Sequence, residues 1–74
     1  MHGTIARPHG WHFFVTHSDG SSNHYTLEAL ERRFELGIRG ATWEAAALVQ
    51  TVAHLADGRV EAHFNGNPVA SAAP

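Results

Sequence analysis

A chain of 74 residues with a formal net charge of −2 and no cysteine reads as one domain, without disulfides or thiolate zinc sites. The charge is small and has the wrong sign for a protein that works by neutralising phosphates. No stretch has the apolar length of a membrane span and residues 1–10 lack the hydrophobic core of a secretory signal, so a soluble cytoplasmic protein is expected.

Residues 1–10 read as a loosely structured segment, broken by Gly3, Pro8 and Gly10. Residues 11–65 read as a single α+β domain. Trp11 to His17 is rich in aromatic and β-branched side chains and predicts a strand. Asp19-Gly20 predicts a two-residue type I′ hairpin turn, and residues 22–25 a short polar return strand. That register puts Phe14 opposite Tyr25, on the face away from Trp11, Phe13 and Val15, and an exposed aromatic pair of that kind calls for a partner.

Thr26 is an N-cap for a first helix over residues 27–36, where Leu27, Leu30 and Phe34 share one face. Gly37 and Gly40 bracket the turn to a second helix. There Thr42 is the expected N-cap, Glu44 lies in the first turn, and Gly58 is the expected left-handed residue after the end. From Trp43 to Ala56 the chain has five alanines and neither Gly nor Pro, which favours helix. Leu48, Val52 and Leu55 form a stripe that Ala45, Val49, Ala53 and Ala56 widen well beyond the usual apolar arc. So wide an arc implies burial on more than one side. It is satisfied either in the centre of the domain or against a second copy, with Trp43, Ala45, Val49 and Ala53 as the homodimer surface. A chain this short buries only about 60% of its unfolded surface, and oligomerisation is one usual remedy.

Residues 59–64 alternate Val60, Ala62 and Phe64 with Arg59, Glu61 and His63, the pattern of a half-buried strand. Residues 66–74 read as a C-terminal tail. The order is ββααβ. The simplest assembly is two layers: a three-stranded antiparallel sheet, its last strand beside its first, with two helices packed on one face.

No catalytic, cofactor or nucleic-acid motif stands out. His17, Ser18 and Asp19 carry the residue types of a hydrolase triad, but neighbours in one turn cannot supply its chain of hydrogen bonds. Glu31 and Glu35 are four apart on an exposed helix and read as a solvated face. The chain is therefore expected not to be an enzyme and to need no cofactor. It has seven histidines. In the register above, His17 and His24 are diagonal neighbours that His63 could join, which makes them weak candidates for metal. A structural zinc site wants four ligands, so the leading expectation is no metal. The same histidines allow a pH response.

The class that remains is a small non-enzymatic protein-binding module, an inhibitor, adaptor or regulator, with Phe14, Tyr25, His24, Arg32, Arg33 and Arg39 as the partner-binding residues. All five basic residues are Arg, a usage that suggests a GC-rich bacterium or its phage. Very small phage or mobile-element anti-defence proteins, anti-CRISPR proteins among them, share this profile of short length and no catalytic residues. One alternative is a dimeric nucleic-acid-binding regulator using Arg32, Arg33 and Arg39, although the second helix carries no basic residue where a recognition helix would. The other is a histidine-based metal or pH sensor.

Overall fold

The computed structural model describes Thr4–Ile5, residues 10–38 and residues 40–74. It is a two-layer α+β domain with two helices and an antiparallel sheet, but the sheet has four strands where three were expected. Strands β2 (Trp11–His17), β3 (Ser22–Thr26), β5 (Gly58–Phe64) and β6 (Asn67–Ala72) lie in the order β3-β2-β5-β6. The last expected strand does lie beside the first, as β5 on β2. A separate two-residue ladder pairs β1 (Thr4–Ile5) with β4 (Trp43–Glu44). The rest of the expected loose N-terminal segment, apart from Gly10, lies outside the described residues.

The added strand comes from the segment expected to be a tail. Asn65 and Gly66 both have positive φ, 51° and 84°, and connect the paired residues Phe64 and Asn67. That is the two-residue connection with left-handed residues at both central positions that suits the twist of a hairpin. β6 is an edge strand, and it tolerates Pro68 because a proline at an edge breaks no interior ladder. His63 pairs with Pro68 and Ala62 with Ala70, so Val69 is the extra residue of a bulge, a feature common at sheet edges.

The first hairpin also differs from expectation. His17 N–H bonds Ser21 O at 2.8 Å, and Gly20 N–H bonds His17 O at 3.0 Å. Only Gly20, at φ 91°, is left-handed. The connection is therefore a three-residue loop, a turn followed by one left-handed residue, rather than a two-residue type I′ turn. The pairing shifts by one: Phe14 faces His24, and Tyr25 faces Phe13. A shift of one residue moves every side chain of the return strand to the other face.

Helix α1 is Leu27–Phe34, capped by the Thr26 hydroxyl, which accepts from Ala29 N–H at 3.2 Å. It ends earlier than expected, at Glu35 in the left-handed region, with Leu36 N–H returning to Glu31 O. Helix α2 is Ala45–Ala56 and begins two residues later than Thr42 implied, with Glu44 at the N-cap and no side-chain cap. Its left-handed terminator is Asp57, not Gly58.

Both helices lie on one face of the sheet, α1 over β3 and β2, α2 over β6 and β5. The core between the layers joins Trp11, Phe13, Val15, Val60 and Ala62 to Leu27, Leu30, Leu48, Val49, Val52 and Ala53. On α2 the buried residues are Ala45, Leu48, Val49, Val52 and Ala53, a single stripe at helical spacing. The excess apolarity faces outward as Ala46, Ala47 and Leu55, the last 56% exposed. The proposed dimer residues Ala45, Val49 and Ala53 are thus enclosed by the chain's own core, at 0–1% exposure. Trp43 is half-buried and packs against that core. Burial within the chain accounts for Ala45, Val49 and Ala53, while Leu55 on the same helix stays exposed.

Candidate functional site

Two-layer packing leaves the other face of the sheet without a covering element among the described residues. Alternation decides what it displays. With Trp11, Phe13 and Val15 turned to the helices, β2 presents His12, Phe14 and Thr16. The register adds His24 opposite Phe14 on β3, and Glu61 and His63 opposite Phe14 and His12 on β5.

Phe14 sits in the middle of this face and is 40% exposed. The His24 ring stacks on it at 5.0 Å between centroids and 29°, and the His63 ring meets it edge-on at 4.9 Å and 75°. His12 and His24 stack at 5.0 Å and 17°, and His12 Nδ1 lies 2.8 Å from His24 Nε2. Two imidazole nitrogens that close share one proton, one donating and the other accepting. His63 Nε2 donates to Glu61 Oε1 at 3.0 Å. That bond, with the charges of His63 and Arg59 nearby, holds the Glu61 carboxyl below the ordinary glutamate value. The arrangement is an exposed aromatic ring held between imidazoles, with a carboxylate at its margin. It offers apolar contact area, ring faces for stacking and N–H donors.

The residues expected to bind a partner do not form one surface. Phe14 and His24 meet on the open face as described. Tyr25 lies on the helix side, edge-on to Phe34 at 5.7 Å and 70°, so the aromatic pair expected on the open face is replaced by a phenylalanine–histidine stack. Arg32 and Arg33 are exposed on α1, in the helical layer, and the Arg33 guanidinium lies 5.7 Å over the Phe34 ring. Arg39 lies outside the described residues.

The expected His17, His24 and His63 grouping is also divided. His17 shares the helix-facing side of β2 and donates from Nε2 to Asn23 Oδ1 at 2.7 Å, while His24 and His63 lie on the opposite face. Among the described residues, no group of three or more His, Cys, Asp or Glu is placed to hold a metal ion. Asp19, near His17, accepts from Ser21 N–H at 2.9 Å and Ser21 Oγ at 2.6 Å, a turn-stabilising pattern. Those bonds, the hydroxyl first, keep its carboxyl below the ordinary aspartate value.

His12 and Glu61 are the members of the open-face cluster that sequence reasoning missed. The signal for His12 was available, since it is two residues from Phe14 on one strand and must share its face. No helix among the described residues is long and apolar enough to cross a membrane. Comparison of the chain with protein-family models, with curated proteins and with solved structures finds no match.

Proposed function

We propose that this chain is a small protein-binding module that docks its partner on the open face of the sheet. The observation that carries the reading is Phe14, 40% exposed at the centre of a face whose other side holds the entire core. Aromatic side chains are enriched at the energetic centres of interfaces, and histidine rings around Phe14 supply directional hydrogen bonds at its rim. The partner is a protein that brings an apolar side chain to Phe14 and acceptor groups to the imidazoles. The face is largely polar outside Phe14, which suits a separable partner better than a permanent dimer. An inhibitor of the phage anti-defence kind, as anti-CRISPR proteins are, is the specific form of this reading that length and composition favour.

Affinity capture from a bacterial lysate, run in parallel with wild type and Phe14→Ala and with nuclease present, tests it. One stoichiometric protein held by wild type and lost with Phe14→Ala supports the reading. A partner held equally by both variants refutes the site. Loss of every partner on nuclease treatment refutes protein binding in favour of nucleic acid, with Arg32 and Arg33 on the helical layer as the contacts to replace next.

A further inference from the structure

We propose that the outer edge of β3 pairs with the β3 edge of a second copy of this chain, antiparallel about a two-fold axis, joining two four-stranded sheets into one. β3 and β6 are the two edges of the sheet, and no described strand lies beyond either. Antiparallel neighbours alternate between bonded and non-bonded pairs. His17 N–H bonds Ser21 O at 2.8 Å. By alternation Val15–Asn23 and Phe13–Tyr25 are bonded pairs of the ladder, and Thr16–Ser22, Phe14–His24 and His12–Thr26 are not. The N–H and C=O of Ser22 and His24, and the N–H of Thr26, therefore point away from β2. The Thr26 C=O opens the hydrogen-bonding of α1.

The side chains of β3 leave that backbone row uncovered. The His24 ring lies against Phe14 and His12, Asn23 Oδ1 accepts from His17 at 2.7 Å, and the Tyr25 ring meets Phe34. Each is drawn toward β2 or α1, and the imidazole pair stays as it is. Sheet edges are ordinarily protected by charge, proline or a bulge. β6 carries Pro68 and the bulge at Val69. Ser22–Thr26 has no proline, no bulge, and no Lys, Arg, Asp or Glu. A second copy is the occupant because the row is self-complementary. A two-fold axis through His24 sets each His24 N–H against the other copy's His24 C=O, and each Thr26 N–H against the other's Ser22 C=O. The same register places Asn23 across from Tyr25, and an uncharged strand meets its own copy without like-charge repulsion. Five residues of edge make a contact well below the ~1,600 Å² of a standard interface, so the pair is weak and depends on concentration. It joins two Phe14-centred faces into one surface. The inference rests on the backbone edge and not on the protein-binding reading of the open face.

Sedimentation equilibrium of the full chain, from about 10 μM to about 1 mM, reads the association. A reversible monomer–dimer equilibrium is expected. Amide hydrogen exchange followed by nuclear resonance needs no substitution. The Ser22, His24 and Thr26 amides should gain protection as concentration rises, while those of Asn23 and Tyr25, already bonded to β2, should be protected throughout. Methylation of the His24 backbone nitrogen, introduced by chemical synthesis of the full chain, removes an outward donor from each copy and keeps the imidazole and the β2 ladder. It should weaken the dimer by about tenfold or more, and circular dichroism confirms that the methylated chain folds. Leu55→Glu, on the exposed side of α2, should leave the dimer unchanged. A chain that stays monomeric to about 1 mM, a dimer that tolerates the methyl group, or a dimer lost with Leu55→Glu overturns the proposal. So does protection gained along β6 instead of β3.

Discussion

Phe13 and Phe14 are the same residue type at adjacent positions, and the structure assigns them opposite energetic roles. Phe13 is 0% exposed between the layers, stacked on Trp11 at 6.1 Å. Phe13→Ala removes a buried aromatic ring and leaves a cavity, a change that costs about 3–5 kcal/mol. At about 0.05–0.15 kcal/mol per residue, a domain of 74 residues holds about 4–11 kcal/mol in all. At the low end of that range the loss takes the variant to the limit of folding. Phe14 is 40% exposed, and full burial of such a side chain contributes about 1.5–3 kcal/mol, so the covered part of Phe14 contributes about 1–2 kcal/mol. Nothing encloses the space it vacates, so no cavity penalty adds to that figure. Urea unfolding followed by far-ultraviolet circular dichroism and by Trp11 and Trp43 fluorescence gives both losses from midpoint and slope. Phe13→Ala should lose more than Phe14→Ala by at least about 1 kcal/mol. Equal losses would mean that Phe14 is enclosed as well, and the open face would no longer exist as described.

Two further outcomes follow from single contacts. A Cβ built on Gly58 would lie 2.7 Å from the Thr16 carbonyl oxygen across the β2–β5 ladder, so Gly58→Ala must push the two central strands apart and should cost about 1–3 kcal/mol. Gly37→Ala meets nothing within 4 Å and should stay within about 0.5 kcal/mol of wild type; the same urea titration reads both, and matching values would contradict the strand spacing. Asp19 is held below the ordinary aspartate value by Ser21, so its contribution is present above that ordinary value and is lost as pH falls from there through the lowered folded value. Thermal melts across the acid range should show that loss reduced in Ser21→Ala, and an unchanged acid profile in that variant would remove the Ser21 bonds as the cause.

The parts of this fold legible in the sequence are those set by local periodicity. The alternation of Trp11, Phe13 and Val15 against Phe14 gave the correct faces of β2, and that of Val60, Ala62 and Phe64 gave the correct inner face of β5. Thr26 marked the start of α1 because a hydroxyl at that position bonds a free amide in the first turn. The hairpins were less legible: the first takes a longer loop than its Asp-Gly pair predicts, and the second arises where a tail is expected. Asp19-Gly20 looks like a two-residue turn, but Asp19 is not left-handed and the loop takes three residues. Asn65-Gly66 is the two-residue turn, and the strand it leads into carries Pro68, which argues against a strand interior. An edge position with a bulge at Val69 removes that objection. The breadth of the apolar arc on α2 misled because alanine counts as apolar wherever it faces. Ala46 and Ala47 expose little apolar surface each, and the buried stripe is of ordinary width, with Leu55 left exposed beside it.

The candidate site was less legible because it depends on pairing rather than on any one strand. Loop length is what assembles it. Had residues 18–21 formed the expected two-residue connection, Phe14 would face Tyr25, and His24 would join Val15 on the helix side. The extra loop residue sends Tyr25 inward, where Phe34 receives its ring edge-on, and brings His24 outward onto Phe14 and His12. The inward half of that exchange stabilises the fold by burying an aromatic ring. The outward half buries little, since His24 is exposed and Phe14 remains 40% so. Core packing alone thus accounts for the placement of Tyr25 but not for the choice of Phe14 or of three histidines on the face left open. A serine or threonine at each of those positions would suit a solvated strand equally well. Their presence there is the physical reason to look for function on this side of the sheet, and not among the exposed arginines of α1.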